Sequence, residues 1–165
     1  MNPHAPRFEN QRVTFPDVPF EDDVVVADRT LSHGVPSRDL LGGLPILRLI
    51  PQDVHSVMDY LNGVATGAGA VLAPEDSAAM AASMILGGSV IGVSLMTDYR
   101  LSLAKVIPIE THEAIDYAWG AMAIAAPFVL GYWKTSPTVG LMHVISGVGT
   151  ILASMVTDYR SYRRR

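Results

Sequence analysis

The chain contains no cysteine. That excludes a disulfide framework, a thiolate metal site and a cysteine nucleophile. Charge is scarce, at 17% of 165 residues. Almost all of it falls in residues 1–60, in one central linker and at the C-terminus. The net charge of −4 gives no chain-wide basic footprint, so no nucleic-acid partner is expected. The first 45 residues lack the apolar run of a signal peptide and hold Glu21, Asp22, Asp23 and several prolines instead. The first membrane helix is therefore expected to act as the insertion signal. Segments 77–97 and 137–157 also lack the polar stripe, recurring every 3.6 residues, of a soluble amphipathic helix.

What is present is apolar and small-residue-rich. Four apolar segments run over 57–73, 77–97, 114–133 and 137–157. A spanning helix needs about 20 such residues. The first segment reaches that length if it begins at Pro51, a residue suited to a first helical turn. Short connections at 74–76 and 134–136 imply antiparallel hairpins, and a longer linker, 101–112, separates the pairs. The expected fold is an all-α membrane protein of four transmembrane helices behind an irregular N-terminal tail, residues 1–47. That tail carries four arginines against seven carboxylates, a net −3. Val24, Val25 and Val26 are its one candidate strand.

The chain repeats itself. Arg48-Leu49-Ile50-Pro51, His55, Asp59, Tyr60 and Gly63 recur 57 residues later as Lys105-Val106-Ile107-Pro108, His112, Asp116, Tyr117 and Gly120. Gly87 and Thr97-Asp98-Tyr99-Arg100 recur 60 residues later as Gly147 and Thr157-Asp158-Tyr159-Arg160. The second copy thus holds three extra residues near its hairpin turn. The units are a two-helix repeat over 48–100, a second over 105–160 and a basic C-terminus, 161–165. An even helix number per unit makes the repeats parallel, unlike inverted transporter repeats. Arg100, Lys105, Arg160, Arg163, Arg164 and Arg165 gather on one side, against Lys134 alone in the short turns. Both termini are therefore expected to be cytoplasmic, in the inner membrane.

The second copy reads Trp119-Gly120, then Ala126-Pro127-Phe128-Val129-Leu130-Gly131, then Gly147. This resembles the SPW-repeat membrane proteins, a bacterial family with a two-helix unit named for a Ser-Pro-Trp signature. The resemblance covers residues 114–155 and, more faintly, 57–97. Ala126 and Phe128 stand where Ser and Trp belong, and Ala70 replaces the proline in the first copy. It implies the architecture and no activity.

His55 and Asp59 are four apart and share a helix face, as do His112 and Asp116. Each repeat places such a face level with an Asp-Tyr-Arg terminus, so two clusters are expected about the pseudo-axis. The structural reading pairs Asp59 and Asp116 with Arg100 and Arg160, backed by Asp98 and Asp158, with Tyr60, Tyr99, Tyr117 and Tyr159 as an aromatic belt. The functional reading has the His and Asp side chains bind a metal or relay protons. An arginine beside each acid would compete with a metal, so neither metal nor cofactor is expected. His143, deep in the last helix, is a candidate ligand-binding residue whose counterpart is Ser83. Gly88-x3-Gly92 fits the small-residue rule for close helix approach. No phosphate loop, Ser-His-Asp arrangement or catalytic carboxylate pair is visible, so no enzyme is expected. The leading expectation is a membrane scaffold or accessory subunit, in the lipid bilayer with other membrane protein subunits, docked by its tail through Phe15 and Phe20. The alternative is a small proton- or metal-handling transporter using the His-Asp clusters.

Overall fold

The computed structural model describes residues 47–159. The tail anchors Phe15 and Phe20, the candidate strand at Val24–Val26, Arg160 and the basic C-terminus lie outside the described residues. Four helices carry the fold: α1 (Gln52–Leu72), α2 (Ser77–Met96), α3 (Ile109–Val129) and α4 (Pro137–Val156). Two-residue strands flank them, β1 (Ile50–Pro51) and β2 (Thr157–Asp158). The all-helical architecture is as expected. α2 and α4 are each long and apolar enough to cross a membrane.

The duplication is written into the elements. α1 and α3 both have 21 residues, and α2 and α4 both have 20. The equivalent prolines Pro51 and Pro108 sit at the two N-caps in extended conformation. Proline suits this place because the first helical amides lack intrahelical partners anyway. α3 thus begins at Ile109, five residues before its apolar stretch, because the Glu-bearing first turn is compatible with the positive end of a helix. It ends at Val129, earlier than hydropathy suggests. Pro127 occupies its last turn and Gly131 follows with φ 83°, the left-handed stop that glycine accepts. The turn between α3 and α4 has seven residues against four between α1 and α2, a difference of three that matches the insertion.

Within each hairpin the helices cross at a duplicated glycine pair. A Cβ on Gly87 would lie 2.6 Å from the Gly63 carbonyl oxygen, and one on Gly147 would lie 2.5 Å from that of Gly120. Gly88 and Gly92, the pair that fits the sequence rule, are not at this crossing: a Cβ on either would meet nothing within 4 Å. α1 also packs on α4, and α2 on α3, which puts α1 and α3 on opposite corners. The exit of each repeat then pairs with the entry of the other. β1 runs parallel to β2 in the register Ile50–Thr157 and Pro51–Asp158, and Thr97 bridges Ile107 in the same sense. Across the far end, the Asp76 carboxylate caps α2 through the amides of Ala78 and Ala79 and accepts the hydroxyls of Thr135 and Ser136. These bonds, Thr135's foremost, hold the carboxyl below its ordinary range.

Candidate functional site

α1 and α3 begin at the same end of the bundle, so the first two turns of each bring a histidine and an aspartate to one level. His55, Asp59, His112 and Asp116 are all buried, and one ligating atom from each falls within 4.8 Å of the others. The two clusters expected from the sequence are therefore one, on the pseudo-axis. His55 Nε2 lies 3.3 Å from Asp59 Oδ1 and 3.0 Å from Asp116 Oδ2. His112 Nε2 lies 3.2 Å from Asp59 Oδ2 and 3.3 Å from Asp116 Oδ1. Each carboxylate turns one oxygen toward each imidazole.

Around the four sits a second duplicated set. His55 Nδ1 meets Thr157 Oγ1 at 2.9 Å, and His112 Nδ1 meets Thr97 Oγ1 at 2.8 Å. Each threonine comes from the other repeat. Each hydroxyl already donates to the carbonyl four residues back, Ala153 or Val93. Ser94 donates to Asp59 at 3.0 Å, and Ser154 to Asp116 at 2.7 Å. These residues escaped the sequence reading as parts of a site. The signal was available for the threonines, which open the repeated Thr-Asp-Tyr-Arg tetrapeptide, and for the serines, which recur at the same offset.

The symmetry breaks at the tyrosines. Tyr159 donates to Asp116 Oδ2 at 2.8 Å, whereas the buried Tyr99 hydroxyl has no hydrogen-bond partner. Burial pushes both phenols up, well clear of physiological pH, so they remain protonated. His112 Nε2 is also buried without a hydrogen bond, because neither nearby carboxylate is aligned to make one.

Several expected members are elsewhere. Arg100 does not reach Asp59. It is 67% exposed and faces Asp53 at 3.9 Å. The reason is direction: Arg100 follows the end of α2 and points outward, while Asp59 points to the axis, where imidazoles satisfy it. Arg100 therefore does not compete with a cation for this carboxylate. Asp98 pairs with Lys105 at 3.0 Å, on the rim. Tyr60 donates to the Leu101 carbonyl and Tyr117 to Glu113, both away from the axis. Asp158 contributes backbone to β2.

His143 lies apart, near the far end. Its Nε2 meets Ser83 Oγ at 3.1 Å and its Nδ1 meets the Tyr132 hydroxyl at 2.6 Å. Ser83 donates onward to the Ala79 carbonyl, so the partners assign a proton to Nε2 and leave Nδ1 as acceptor. Both nitrogens of the neutral ring are then satisfied. Tyr132 belongs to the inserted turn, so this contact is peculiar to the second repeat; burial raises its phenol to about 12.

The fold and site together define a duplicated four-helix bundle closed over a buried two-histidine, two-aspartate centre. Comparison with protein-family models, curated proteins and solved structures gave no match.

Proposed function

We propose that the chain is an integral membrane protein of four spans that handles a cation, proton or metal ion, at the His55–Asp59–His112–Asp116 centre. The observation that carries this reading is four ionisable side chains at one buried level of a bundle whose outer faces are apolar. Such groups are costly inside a membrane and by default mark ion or proton sites. α1 and α3 are less apolar than α2 and α4 in part because of residues that point inward: His55 and Asp59, then His112, Glu113 and Asp116, all buried. Their outward positions are Val57, Leu61 and Val64 on α1, and Met122, Phe128 and Val129 on α3. All four helices have 20 or 21 residues. At 1.5 Å per residue each is about 30 Å long, the thickness of the hydrocarbon layer. The Lys/Arg asymmetry supports cytoplasmic termini in an inner membrane. A cysteine replacing Asp76 should then label only from the periplasmic side of intact cells; cytoplasmic-only labelling would reverse the orientation.

A transporter also needs a polar route, and the two interfaces between the repeats differ in that respect. Between α1 and α4, Asn62 donates to Thr150 at 3.2 Å and Thr66 meets Ser146 at 3.0 Å. A cleft of about 240 Å³ joins Asn62, Ser146 and Thr150 to His55 and Asp59. The counterparts between α2 and α3, at the repeat offsets, are Trp119 and Val90, then Ala123 and Leu86. Trp119, Ala123 and Leu86 pack there as an apolar cluster. One interface pairs polar side chains at these positions, and the other is apolar there, with the Trp119 indole N–H donating to the Leu86 carbonyl and the Ser89 hydroxyl. In vesicles holding a pH dye or a zinc dye, the wild-type chain should dissipate an imposed gradient of one of the two ions. Thr66→Val with Ser146→Ala should return the flux to the level of empty vesicles. Removing both hydrogen-bond partners together is nearly neutral for stability, so the fold should survive. Wild-type flux equal to that of protein-free vesicles would sink the reading.

The second reading remains a scaffold or accessory subunit, docked by its tail. It is favoured by Gly88, Gly92 and Gly149, where bare backbone faces outward and a partner helix could approach closely. The likeness to SPW-repeat proteins bears on the two-helix architecture only.

A further inference from the structure

The geometry points to a single divalent transition-metal ion of the zinc class at this centre, held by His55 Nε2, His112 Nε2 and the carboxylates of Asp59 and Asp116. The inference rests on the cation-handling reading and narrows it from any cation to a metal.

Three observations carry it. The first is size. Zinc binds nitrogen and carboxylate oxygen at about 2.0–2.2 Å, which sets ligand atoms of a tetrahedron about 3.3–3.5 Å apart. The four nitrogen–oxygen separations here are 3.0, 3.3, 3.2 and 3.3 Å, each carboxylate showing a different oxygen to each imidazole. One ligating atom per residue fits within 4.8 Å, so a four-coordinate ion draws one oxygen of each carboxylate slightly inward.

The second is tautomer. Thr97 and Thr157 spend their single protons on carbonyls, so toward the imidazoles they act as acceptors. That places a proton on each Nδ1 and leaves the His112 Nε2 lone pair directed at the axis. His55 Nε2 donates to Asp116 Oδ2 at 3.0 Å, and a cation on the axis would displace that proton. A metal-ligating histidine is held in this way, with its remote N–H bound to a neighbour that fixes ring and tautomer. Here each repeat supplies the clamp for the other repeat's ligand.

The third is an unmet need. Neutral His112 would aim a lone pair at two carboxylates 3.2 and 3.3 Å away, and no hydrogen bond relieves it. A cation between them supplies the missing partner to nitrogen and oxygen alike. Two carboxylates also balance the charge of a divalent ion. Imidazole and carboxylate ligands suit zinc and its neighbours rather than calcium or magnesium, which take oxygen.

The test uses the full chain, purified in detergent and stripped with a chelator. One zinc per chain is expected by mass spectrometric metal analysis, and one cobalt should give the intense visible absorption of a tetrahedral ion. His112→Ala should abolish both. Because that variant can also fail to fold, the near-isosteric Thr157→Val is the second probe. It should weaken zinc binding about 10–100-fold, the usual effect of losing an outer partner, while the helical circular dichroism is unchanged. The proposal is overturned if no metal binds near one equivalent, if His112→Ala binds as the wild type does, or if cobalt takes an octahedral spectrum. Vesicle flux separates the two levels. Proton flux without metal binding would end this inference and leave cation handling standing. Metal binding without any flux would uphold the site and remove transport.

Discussion

Asp116→Ala is expected to destabilise the metal-free bundle by about 3–5 kcal/mol, the range for removing one partner of a buried charged network. Asp116 Oδ2 accepts from Ser154 and Tyr159 and sits 3.0 Å from His55, and Oδ1 faces His112. Removal takes a partner from all four. Asp59→Ala should cost less, by about 1 kcal/mol, because Asp59 has the Ser94 bond and the imidazoles but no tyrosine to lose. Denaturant unfolding in micelles with chelator present, followed by circular dichroism, measures both. Equal losses, or a larger one for Asp59, would mean that the tyrosine asymmetry is not real. The double variant should cost less than the sum, since the two carboxylates share both imidazoles.

Gly87→Ala should be the most damaging methyl addition, at about 1–3 kcal/mol or more for overpacking. Its Cβ would fall 2.6–2.7 Å from the Gly63 oxygen and from the backbone of Gly67. No side chain can rotate away, so α1 and α2 must part. Gly147→Ala should behave alike, against the Gly120 oxygen. Gly88→Ala and Gly92→Ala meet nothing and should stabilise by about 0.5–1 kcal/mol, the helical advantage of alanine over glycine. The same unfolding experiment decides it. A loss at Gly88 matching that at Gly87 would contradict the crossing point.

The glycines show how much of this was legible. Spacing alone favoured Gly88 and Gly92, since a small residue every fourth position makes a flat stripe. Duplication was the better guide: Gly63 and Gly120, and Gly87 and Gly147, recur at the repeat offsets, and those four are the crossings. Both repeats must cross their hairpins alike, so the positions that cannot carry a side chain are held in register. The same logic made His55, Asp59, His112 and Asp116 visible as a set. The pairing of Asp59 with Arg100 failed because proximity in sequence to a helix end says nothing about direction. Arg100 leaves the bundle while Asp59 enters it.

The helices, the duplication and the single level of the histidines and aspartates are legible in the chain alone. These are local matters: apolar length, proline at the helix starts and a fixed offset between copies. That two clusters become one centre is a matter of how the repeats pack. That depends on α1 and α3 occupying opposite corners, so that their inward side chains meet on the axis. The packing also decides which atoms complete the centre. Thr157 serves His55 from 102 residues away because the exit of each repeat pairs with the entry of the other. Contacts between copies follow from how the copies pack, and the periodicity within either copy does not encode that.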